Sequence, residues 1–510
     1  MVKKISHEQS RRNAARRRRR VAGRHAQAGH WDARSAPVFG SGPVAYEIGA
    51  NVDATCYGGI AAVHRLVTKL GLPDEVNEQV SLLKVHLPYH ESDHVLNLAY
   101  NVMCGGTRLE DIERLRHDTA YMNALGADLI PDPTTAGDFC RRFAEADVAK
   151  LLEAVNAVRP KLWTGRGKDL LGPVAYLDAD GTIAPTTGRC KAGMDMSYKG
   201  IWGYAPLIVS LANTREVLYL VNRPGNAPSH SDAAGWIDKA IDLVAPHAPR
   251  VCLRGDTDFS LTAHFDRWAR RGVDFVFGMD ASPTLRQRAE NLDEARWRRL
   301  HRPAPYHSAT GTTRKRRPNH KKRIVRERGY LNLELNFEDV AEFYYIPGTC
   351  SRAYRVIALR KNISQARGDQ ALFDEVRYFF YITTYTDLPI EQVVALANDR
   401  CDQENVIEQL KNGVNALRVP LYDLVSNWAY MVIAALAWNI KSWFAMMMHR
   451  KQDRRDYLRM EFRRFQASII LIPAMVARRA RGIIVRLIGY TPSLDRLFSA
   501  WHTTERTRFG

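Results

Sequence analysis

The spacing of apolar residues changes near residue 173, and this change constrains the fold more than any other feature of the sequence. Before it, apolar residues recur every three or four positions between Gly and Pro residues, which predicts helices. After it, alternating or continuous apolar runs predict strands. The predicted elements are strands at 173–182, 205–212 and 216–222, a helix at 232–244, a strand at 250–256, a helix at 261–272 and a strand at 273–279. The order β-β-β-α-β-α-β predicts an α/β core.

Acidic residues stand at the ends of two of these strands. Asp178 and Asp180 close the first strand, and Asp256 closes the fourth. The element order matches the ribonuclease-H-like fold, which places one acid on its first strand and another at the end of its fourth. Mg²⁺ prefers carboxylate oxygens, and two such ions can neutralise the charge that develops when a phosphodiester is cleaved. The pattern predicts a metal site, although carboxylates at strand ends also occur as plain solvated termini.

A third acid is expected after an interruption of the core. Residues 281–386 combine a basic loop with strand-like segments, which predicts a β-rich insertion. A helix is then predicted over 389–413. Arg400, Glu404 and Lys411 would lie on one face of this helix, which would return the chain to the sheet with Glu404 as the third ligand. The alternative is an ordinary helix surface of i,i+4 ion pairs.

Positive charge at the N-terminus points to a polyanionic partner. The formal net charge of the chain is +19, and each Lys or Arg that meets a phosphate releases counterions. Residues 1–24 carry ten cations and one acid, and they predict a disordered arm lying along DNA. A targeting sequence or a solvated tail are the alternatives. The central cations of this arm are Arg16, Arg17, Arg18, Arg19 and Arg20.

A second basic cluster spans 296–328 and interleaves aromatic residues with cations. It predicts a loop that faces nucleic acid, with a flexible solvated loop as the alternative. Its candidate DNA-binding residues are Arg314, Lys315, Arg316, Arg317, Lys321 and Lys322. The helical segments between 45 and 165 could contain a helix-turn-helix DNA reader, and generic helical packing is an equal possibility.

Cysteine usage and hydropathy exclude other classes of protein. Seven scattered cysteines without a CxxC pair argue against a structural zinc site or a disulfide framework, and they fit a reducing cytosol. The most apolar run, which starts at 424, is interrupted by Asn427, Asn439 and Lys441. It therefore predicts a buried core helix rather than a membrane span. We expect a soluble cytoplasmic protein with no membrane partner.

Three motifs together resemble those of bacterial insertion-sequence DDE transposases with a β-strand insertion, most of all the family numbered thirteen-eighty. Arg400, Glu404 and Lys411 match the spacing of that group's C-terminal signature, with Ala397 at the place of its tyrosine. The stretch DADGT resembles the first-Asp motif, and RGDTDFS resembles the second, with Asp258 where glycine is more usual. MCGGTRLEDIERLRHD and PDPTTAGDFCRRF resemble the N-terminal helical region, so the likeness covers about 45–490.

The resemblance implies a cut-and-paste recombinase. It would bind the terminal inverted repeats of its element, cleave the DNA ends with two Mg²⁺ or Mn²⁺ ions, and join the free 3′-OH to target DNA. Asp180, Asp256 and Glu404 would be the catalytic metal ligands, with Asp178 as second choice because Asp-Gly-Thr fits the motif better. Arg400 and Lys411 would bind phosphates beside the scissile bond.

The same resemblance implies a homodimer assembled on double-stranded DNA in the bacterial nucleoid. Another ribonuclease-H-like nuclease or resolvase, or a catalytically silent DNA-binding repressor, is the alternative. The predicted fold class is α/β: a ribonuclease-H-like core interrupted by a β-rich insertion, with an N-terminal helical DNA-binding region. The predicted domains are a basic disordered arm (1–44), the helical DNA-binding domain (45–165), the first part of the core (166–280), the insertion with its basic loop (281–386), and the second part of the core with C-terminal helices (387–510).

Overall fold

A computed structural model gives the fold of the chain. It describes residues 7–27, 53–167, 170–188, 190–301, 306–307, 312–313, 324, 327–328, 330–367, 370–479, 482–488 and 490–509. The chain divides into two compact units, both discontinuous in sequence. The first comprises Met1–Gly172, Thr182–Ala227 and Asn405–Gly510, and the second comprises Pro173–Gly181 and Pro228–Glu404. The three predicted metal ligands all belong to the second unit.

The helices are most frequent at the two ends of the chain. They are α1 (His7–Gln27), α2 (Ile60–Lys69), α3 (Leu72–Gln79), α4 (Glu91–Met103), α5 (Ile112–Arg116), α6 (Thr119–Leu125), α7 (Pro133–Arg141), α8 (Glu145–Ala157), α9 (Arg159–Gly165), α10 (Ala233–Val244), α11 (Thr262–Arg270), α12 (Pro283–Glu290), α13 (Ile390–Asn398), α14 (Cys401–Glu408), α15 (Leu424–Met446), α16 (Lys451–Arg459), α17 (Phe462–Phe465) and α18 (Leu494–Arg506).

The strands are concentrated in the middle of the chain. They are β1 (Ala54–Thr55), β2 (Ala175–Gly181), β3 (Ala184–Pro185), β4 (Asp195–Met196), β5 (Trp202–Tyr204), β6 (Leu207–Leu211), β7 (Glu216–Val221), β8 (Val251–Gly255), β9 (Asp274–Met279), β10 (Arg298–Arg299), β11 (Tyr306–His307), β12 (Thr312–Thr313), β13 (Leu331–Tyr345), β14 (Tyr354–Arg367), β15 (Gln370–Thr383), β16 (Ala474–Arg479) and β17 (Gly482–Leu487).

Seven strands of the second unit lie in one mixed sheet, in the order β10-β13-β14-β15-β9-β8-β2. Strands β2, β8 and β9 are parallel neighbours, and β9 pairs with β15 in the antiparallel direction. Every residue of β8 is buried, which explains its continuous apolar character, because parallel strands are covered on both faces. Apart from the short strands β3, β4 and β5, which form a separate small sheet, the succession β2, β6, β7, α10, β8, α11, β9 confirms the predicted element order of an α/β, ribonuclease-H-like core.

The predicted β-rich insertion consists of three long antiparallel strands, β13, β14 and β15. Two segments that the sequence presents as separate strands, 330–337 and 342–348, are largely one strand, because a bulge between Leu335 and Phe337 absorbs the break in alternation. Six cations of the basic loop, Arg314 to Arg317 together with Lys321 and Lys322, lie outside the described residues.

Helix α15 is the centre of the first unit, as the prediction of a buried core helix requires. All its residues from Ser426 to Met446 are buried, and it packs against α4, α7, α8 and β7. Two of the polar residues that interrupt its apolar run have backbone partners: Asn439 exchanges two hydrogen bonds with Val217, and Lys441 donates to the carbonyl of Leu458 at 2.7 Å. Within the described ranges, none of the helices combines the length and apolar character needed to traverse a bilayer.

The basic arm differs from its prediction. Residues His7–Gln27 form α1 rather than a disordered segment. Ala and Arg favour helices, and an i,i+4 ion pair joins Glu8 to Arg12 at 2.6 Å. Ala14 is buried, and α1 packs against α18. The high density of charge suggested disorder, but these local preferences and one packed face support a helix, with Arg16–Arg20 exposed on it.

Candidate active site

The two predicted aspartates stand at the ends of neighbouring parallel strands. Strand β2 pairs with β8 so that Asp178 lies directly opposite Arg254. This is the last pair of the register; Asp180 lies two residues further along β2, and Asp256 directly follows the last residue of β8. Residues two apart share a face of a strand, so Asp180 lies on the same face as Asp178, one step nearer the strand end. Asp256 is close enough for its charge to raise the pKa of Asp180.

Asp178 is engaged in a buried ion pair. The Arg254 guanidinium donates from Nε to Oδ1 at 2.7 Å and from Nη2 to Oδ2 at 2.8 Å. The side chains of Asp178 and Arg254 are 1% and 4% exposed. The guanidinium also lies over the Tyr176 ring, 4.9 Å from its centroid. Burial lowers the pKa of Arg254, but the charge and hydrogen bonds of Asp178, together with smaller contributions from Cys252 and Asp399, raise it overall. Both oxygens of Asp178 are therefore occupied by a cation of the protein itself.

Asp180 is the most perturbed acid of the site. It is 15% exposed, and Arg400 donates to its Oδ2 from Nη1 at 3.2 Å. Its pKa is raised to about 7, chiefly because burial disfavours the charged form; Arg400 lowers this pKa, and the charges of Asp256 and Glu404 raise it. Because such effects fall off with distance, these four side chains form one electrostatic cluster.

Asp256 lies in the turn that follows β8. Its carboxylate accepts a hydrogen bond from the backbone N–H of Asp258 at 3.1 Å. Burial raises its pKa, Arg400 lowers it, and Asp258 raises it. The turn requires a small residue before the aspartate, because a Cβ at Gly255 would lie 2.7 Å from the Cβ of Phe259. The predicted motif RGD therefore combines a core cation, a tightly packed glycine and a carboxylate near the surface.

The helix predicted over 389–413 is interrupted. Helix α13 ends at Asn398, Arg400 lies in a turn, and Glu404 is exposed on α14. The side chain of Asn398 donates to the carbonyl of Val394 at 2.6 Å, the kind of local bond with which Asn competes against helix continuation. Arg400 and Glu404 therefore do not share one helix face, and the prediction of a continuous helix is wrong.

A second irregularity follows Glu404. Residues Gln409–Gly413 form a π-helical turn, which contains Lys411. The wider turn rotates Lys411 away from the direction that an α-helix would give it. Lys411 is half-buried and belongs to the first unit, so its predicted contact with a phosphate stays a prediction. The same holds for Arg16–Arg20, which also belong to the first unit.

The donor set of this cluster fits a hard divalent cation in its chemistry. Asp180, Asp256 and Glu404 supply only carboxylate oxygens, the ligands that Mg²⁺ and Mn²⁺ accept. Burial raises the pKa of Asp180 most, and the charges of Asp256 and Glu404 raise it further; a cation would relieve this repulsion among the carboxylates. In the part of the chain that the structure describes, however, no three His, Cys, Asp or Glu side chains are close enough to hold one ion together. Arg400 neutralises Asp180 instead.

Sequence reasoning identified the acids but missed the role of Arg254. The available signal was the register of two parallel strands: an arginine two residues before Asp256 faces an aspartate two residues before Asp180. The Asp178–Arg254 pair therefore lies within the paired part of β2 and β8, whereas Asp180 and Asp256 lie beyond it, towards the strand ends.

Comparison with known proteins identifies a family for the chain. The family model described as transposase DDE domain group 1 matches residues 49–508. A search of curated proteins finds no match. Among solved structures, the piggyBac transposase in a synaptic complex with hairpin DNA is similar, with 11% sequence identity and a TM-score of 0.38; the similarity covers 82% of this chain and 83% of that one.

Proposed function

The chain belongs to the transposase DDE domain group 1 family and is therefore a DDE transposase, for which we propose a metal-dependent cut-and-paste reaction at the ends of its own element. The observation that carries the proposal is the cluster of Asp180, Asp256 and Glu404. Two of these acids end adjacent parallel strands, and all three belong to one electrostatic group. Transposases of this family generally use divalent metal ions, and Mg²⁺ or Mn²⁺ is the ion proposed here.

In this proposal, Asp180, Asp256 and Glu404 hold two divalent ions, whose chemistry is to neutralise charge on the attacking and leaving oxygens. Arg400 leaves Asp180 and binds the phosphate beside the scissile bond, where a cation stabilises transition-state charge. The Asp178–Arg254 pair holds β2 and β8 in register, which positions Asp180 against Asp256. Asp178 takes no part as a ligand, because its oxygens already accept two bonds from Arg254.

The proposed substrates are the terminal inverted repeats of a bacterial insertion sequence, of the family numbered thirteen-eighty, and a double-stranded target. The spacing of Arg400, Glu404 and Lys411 and the net charge of +19 support this assignment. The exposed Arg16–Arg20 of α1, Lys411, and the cations of the basic loop would bind phosphates along the duplex. A homodimer assembled on two DNA ends, acting in the nucleoid, completes the proposal.

Each predicted domain is proposed to have its own function. Residues 45–165 are proposed to recognise the DNA ends. Residues 166–280 and 387–510 are proposed to contribute the catalytic core, and 281–386 the insertion. The arm (1–44) would add affinity that does not depend on sequence.

The experiment is cleavage of a labelled duplex that carries the terminal inverted repeat from the DNA flanking the gene. Mg²⁺ and Mn²⁺ should support cutting at the repeat end. Ca²⁺ should support binding without turnover, because its loose coordination misplaces the nucleophile. A duplex with a scrambled repeat is the control for recognition. Cutting that persists in EDTA would contradict the metal mechanism, and tight binding without cutting in any metal would favour the silent repressor.

A further inference from the structure

An exposed hairpin follows the first catalytic strand in the chain. It consists of β4, β5 and the loop 197–201 between them, and we name it the aromatic hairpin. Four of its large apolar side chains face solvent: Tyr198 is 83% exposed, Trp202 49%, Met196 45% and Ile201 39%. Scattered exposed apolar residues need no explanation, but several on one short hairpin indicate a surface that binds something.

The loop of the aromatic hairpin is held in a defined conformation. The buried Ser197 pairs with Ile201 through its backbone N–H at 2.9 Å, and its Oγ accepts from the Ile201 N–H at 3.1 Å. Gly200 closes the turn with a bond to the Ser197 carbonyl at 2.8 Å and has a φ of +70°, which favours glycine. Met196 lies directly opposite Trp202 in the β4–β5 pair. The exposed side chains are thus carried by a structured turn.

The base of the hairpin is equally well fixed within the first unit. A Cβ at Gly203 would lie 2.2 Å from the carbonyl oxygen of Ala184, and one at Gly225 would lie 2.2 Å from that of Asp195. The Tyr204 hydroxyl donates to the carbonyl of Ala192 at 3.0 Å. Such close backbone packing holds both ends of the hairpin, so that the aromatic side chains extend from a rigid support.

The charge of this tip is positive. Residues 196–204 contain one cation, Lys199, and no acid; the one acid of the hairpin, Asp195, lies at its base, at the start of β4. The Lys199 ammonium is exposed and lies 5.2 Å from the centroid of the Tyr198 ring. Exposed aromatic rings beside a cation are the combination with which proteins bind single-stranded nucleic acid: rings stack on bases, and cations neutralise phosphates. In a duplex the faces of the bases are covered by their neighbours, so this surface fits unpaired bases.

We propose that the aromatic hairpin binds an unpaired DNA segment, with Tyr198 and Trp202 stacked on bases and Lys199 at a neighbouring phosphate. The proposal rests on the proposed function at DNA ends, which supplies strands that have been cut and separated. It assigns to the protein a single-strand site on the first unit, in addition to the carboxylate cluster of the second.

The test measures binding of the full chain to a labelled oligothymidine of about 16 nucleotides, near the upper site size of known single-strand modules, and to a blunt duplex of equal length. Tyr198→Ala and Trp202→Ala should each weaken oligothymidine binding about five-fold or more, the lower bound for losing one stacked ring, with duplex affinity unchanged. Lys199→Ala should reduce the salt slope on the single strand by about 0.7.

Two matched variants keep this test specific. Tyr198→Phe retains the ring and should bind like the wild type. Tyr344→Ala removes a tyrosine that is 59% exposed but lies on β13, and it should also bind normally. Thermal unfolding of each variant controls for folding; at 83% exposure, removal of the Tyr198 ring should not lower the unfolding temperature.

Unchanged oligothymidine binding in both Tyr198→Ala and Trp202→Ala would overturn the proposal. So would an equal loss of duplex binding, which would make the hairpin a general DNA contact, or a change of oligomeric state alone, which would make it a protein interface. Metal-dependent cutting of end duplex by the wild type, measured on the same preparations, reports separately on the proposed function.

Discussion

Arg254 and Asp178 face each other across β8 and β2 and share two hydrogen bonds of 2.7 and 2.8 Å, directly beneath the ends of these strands. Beyond this last pair of the ladder come Asp180 on β2 and Asp256 directly after β8. Arg400 reaches Asp180 from the turn between α13 and α14 instead. The Asp178–Arg254 pair is formed between the two strands themselves, whereas the cation that contacts Asp180 comes from another element of the chain.

The first prediction separates Asp178 from Asp180. Asp178→Asn leaves Arg254 buried with only part of its charge balanced, and it should lower the free energy of unfolding by about 3–5 kcal/mol. Asp180→Asn removes a carboxyl group whose charged form is already disfavoured by burial, so this variant should be no less stable than the wild type at neutral pH. Urea denaturation of both variants measures the difference. The reverse order of stability would exchange the roles assigned to the two residues.

The second prediction concerns pH. The pKa of Asp180 is about 7 in the folded protein against an ordinary 3.8, so over this interval the folded state holds more protons than the unfolded state. Its contribution to stability should therefore be complete at acidic pH, fall as the pH rises towards about 7, and stay low above it. Denaturation of the wild type and of Asp180→Asn across this range tests the point, since the variant should lose the part of the fall that Asp180 contributes and keep that of Asp256, whose pKa burial also raises.

The third prediction concerns metal in the absence of DNA. Above about pH 7 the three carboxylates repel one another, and an ion bound only to the folded state should raise the unfolding temperature with increasing Mg²⁺ or Mn²⁺. Binding should also release protons, because the ligands must be ionised. Asp256→Asn should lose most of the stabilisation. An equal rise in this variant would show that the ions act elsewhere on the protein.

The fourth prediction concerns α1. Replacing Arg16–Arg20 by glutamine retains helix propensity but removes five exposed cations. If all five contact phosphates, the slope of log affinity against log salt should become shallower by about 4.5. Deletion of residues 1–24 should have a larger effect, because ten cations are lost. An unaltered slope would show that α1 does not contact DNA, and circular dichroism would verify that the glutamine variant remains helical.

The element order and the positions of the acids could be predicted because both depend on local patterns. Strand ends are marked by the switch from apolar runs to DADG and RGD, and α15 by its length and polar interruptions. Glu216 shows what local pattern cannot reveal: it follows a predicted turn, yet it is fully buried and accepts from Trp163 at 2.9 Å and Trp443 at 2.7 Å. Those partners come from distant parts of the chain, and no spacing in the sequence connects them.

The sequence could suggest residues for the candidate site, whose roles stay predictions, but it could not give their geometry. An i,i+4 pattern suggested that Arg400 and Glu404 share a helix face, because the pattern cannot show where the helix stops. The helix ends at Asn398, which frees Arg400 to reach Asp180 while Glu404 remains exposed on α14. The ion pair expected between neighbours on one helix is replaced by a contact between residues 220 positions apart.

The last prediction decides whether Glu404 is a metal ligand or an exposed helix residue. As a surface side chain, Glu404→Gln would cost at most about 1 kcal/mol of stability and leave cleavage intact. As a ligand it should abolish end cleavage while DNA binding persists, because an amide cannot supply the anionic oxygen, and Asp180→Asn and Asp256→Asn should behave alike. Lys411→Ala should fall between, since it weakens phosphate binding without removing a ligand.

Glu408→Gln is the matched control for that measurement. Glu408 is also exposed on α14, four residues after Glu404, and its carboxylate accepts from the side chain of Asn412 at 2.7 Å. It carries the same charge on the same helix, so a general loss of negative charge would affect both variants alike. Cleavage by Glu408→Gln at the wild-type rate, with none by Glu404→Gln at the same Mg²⁺ concentration, would assign the effect to the ligand position. Equal cutting by the two variants would show that Glu404 is an ordinary exposed residue of α14. It would also show that Glu404 is not the third metal ligand beside Asp180 and Asp256.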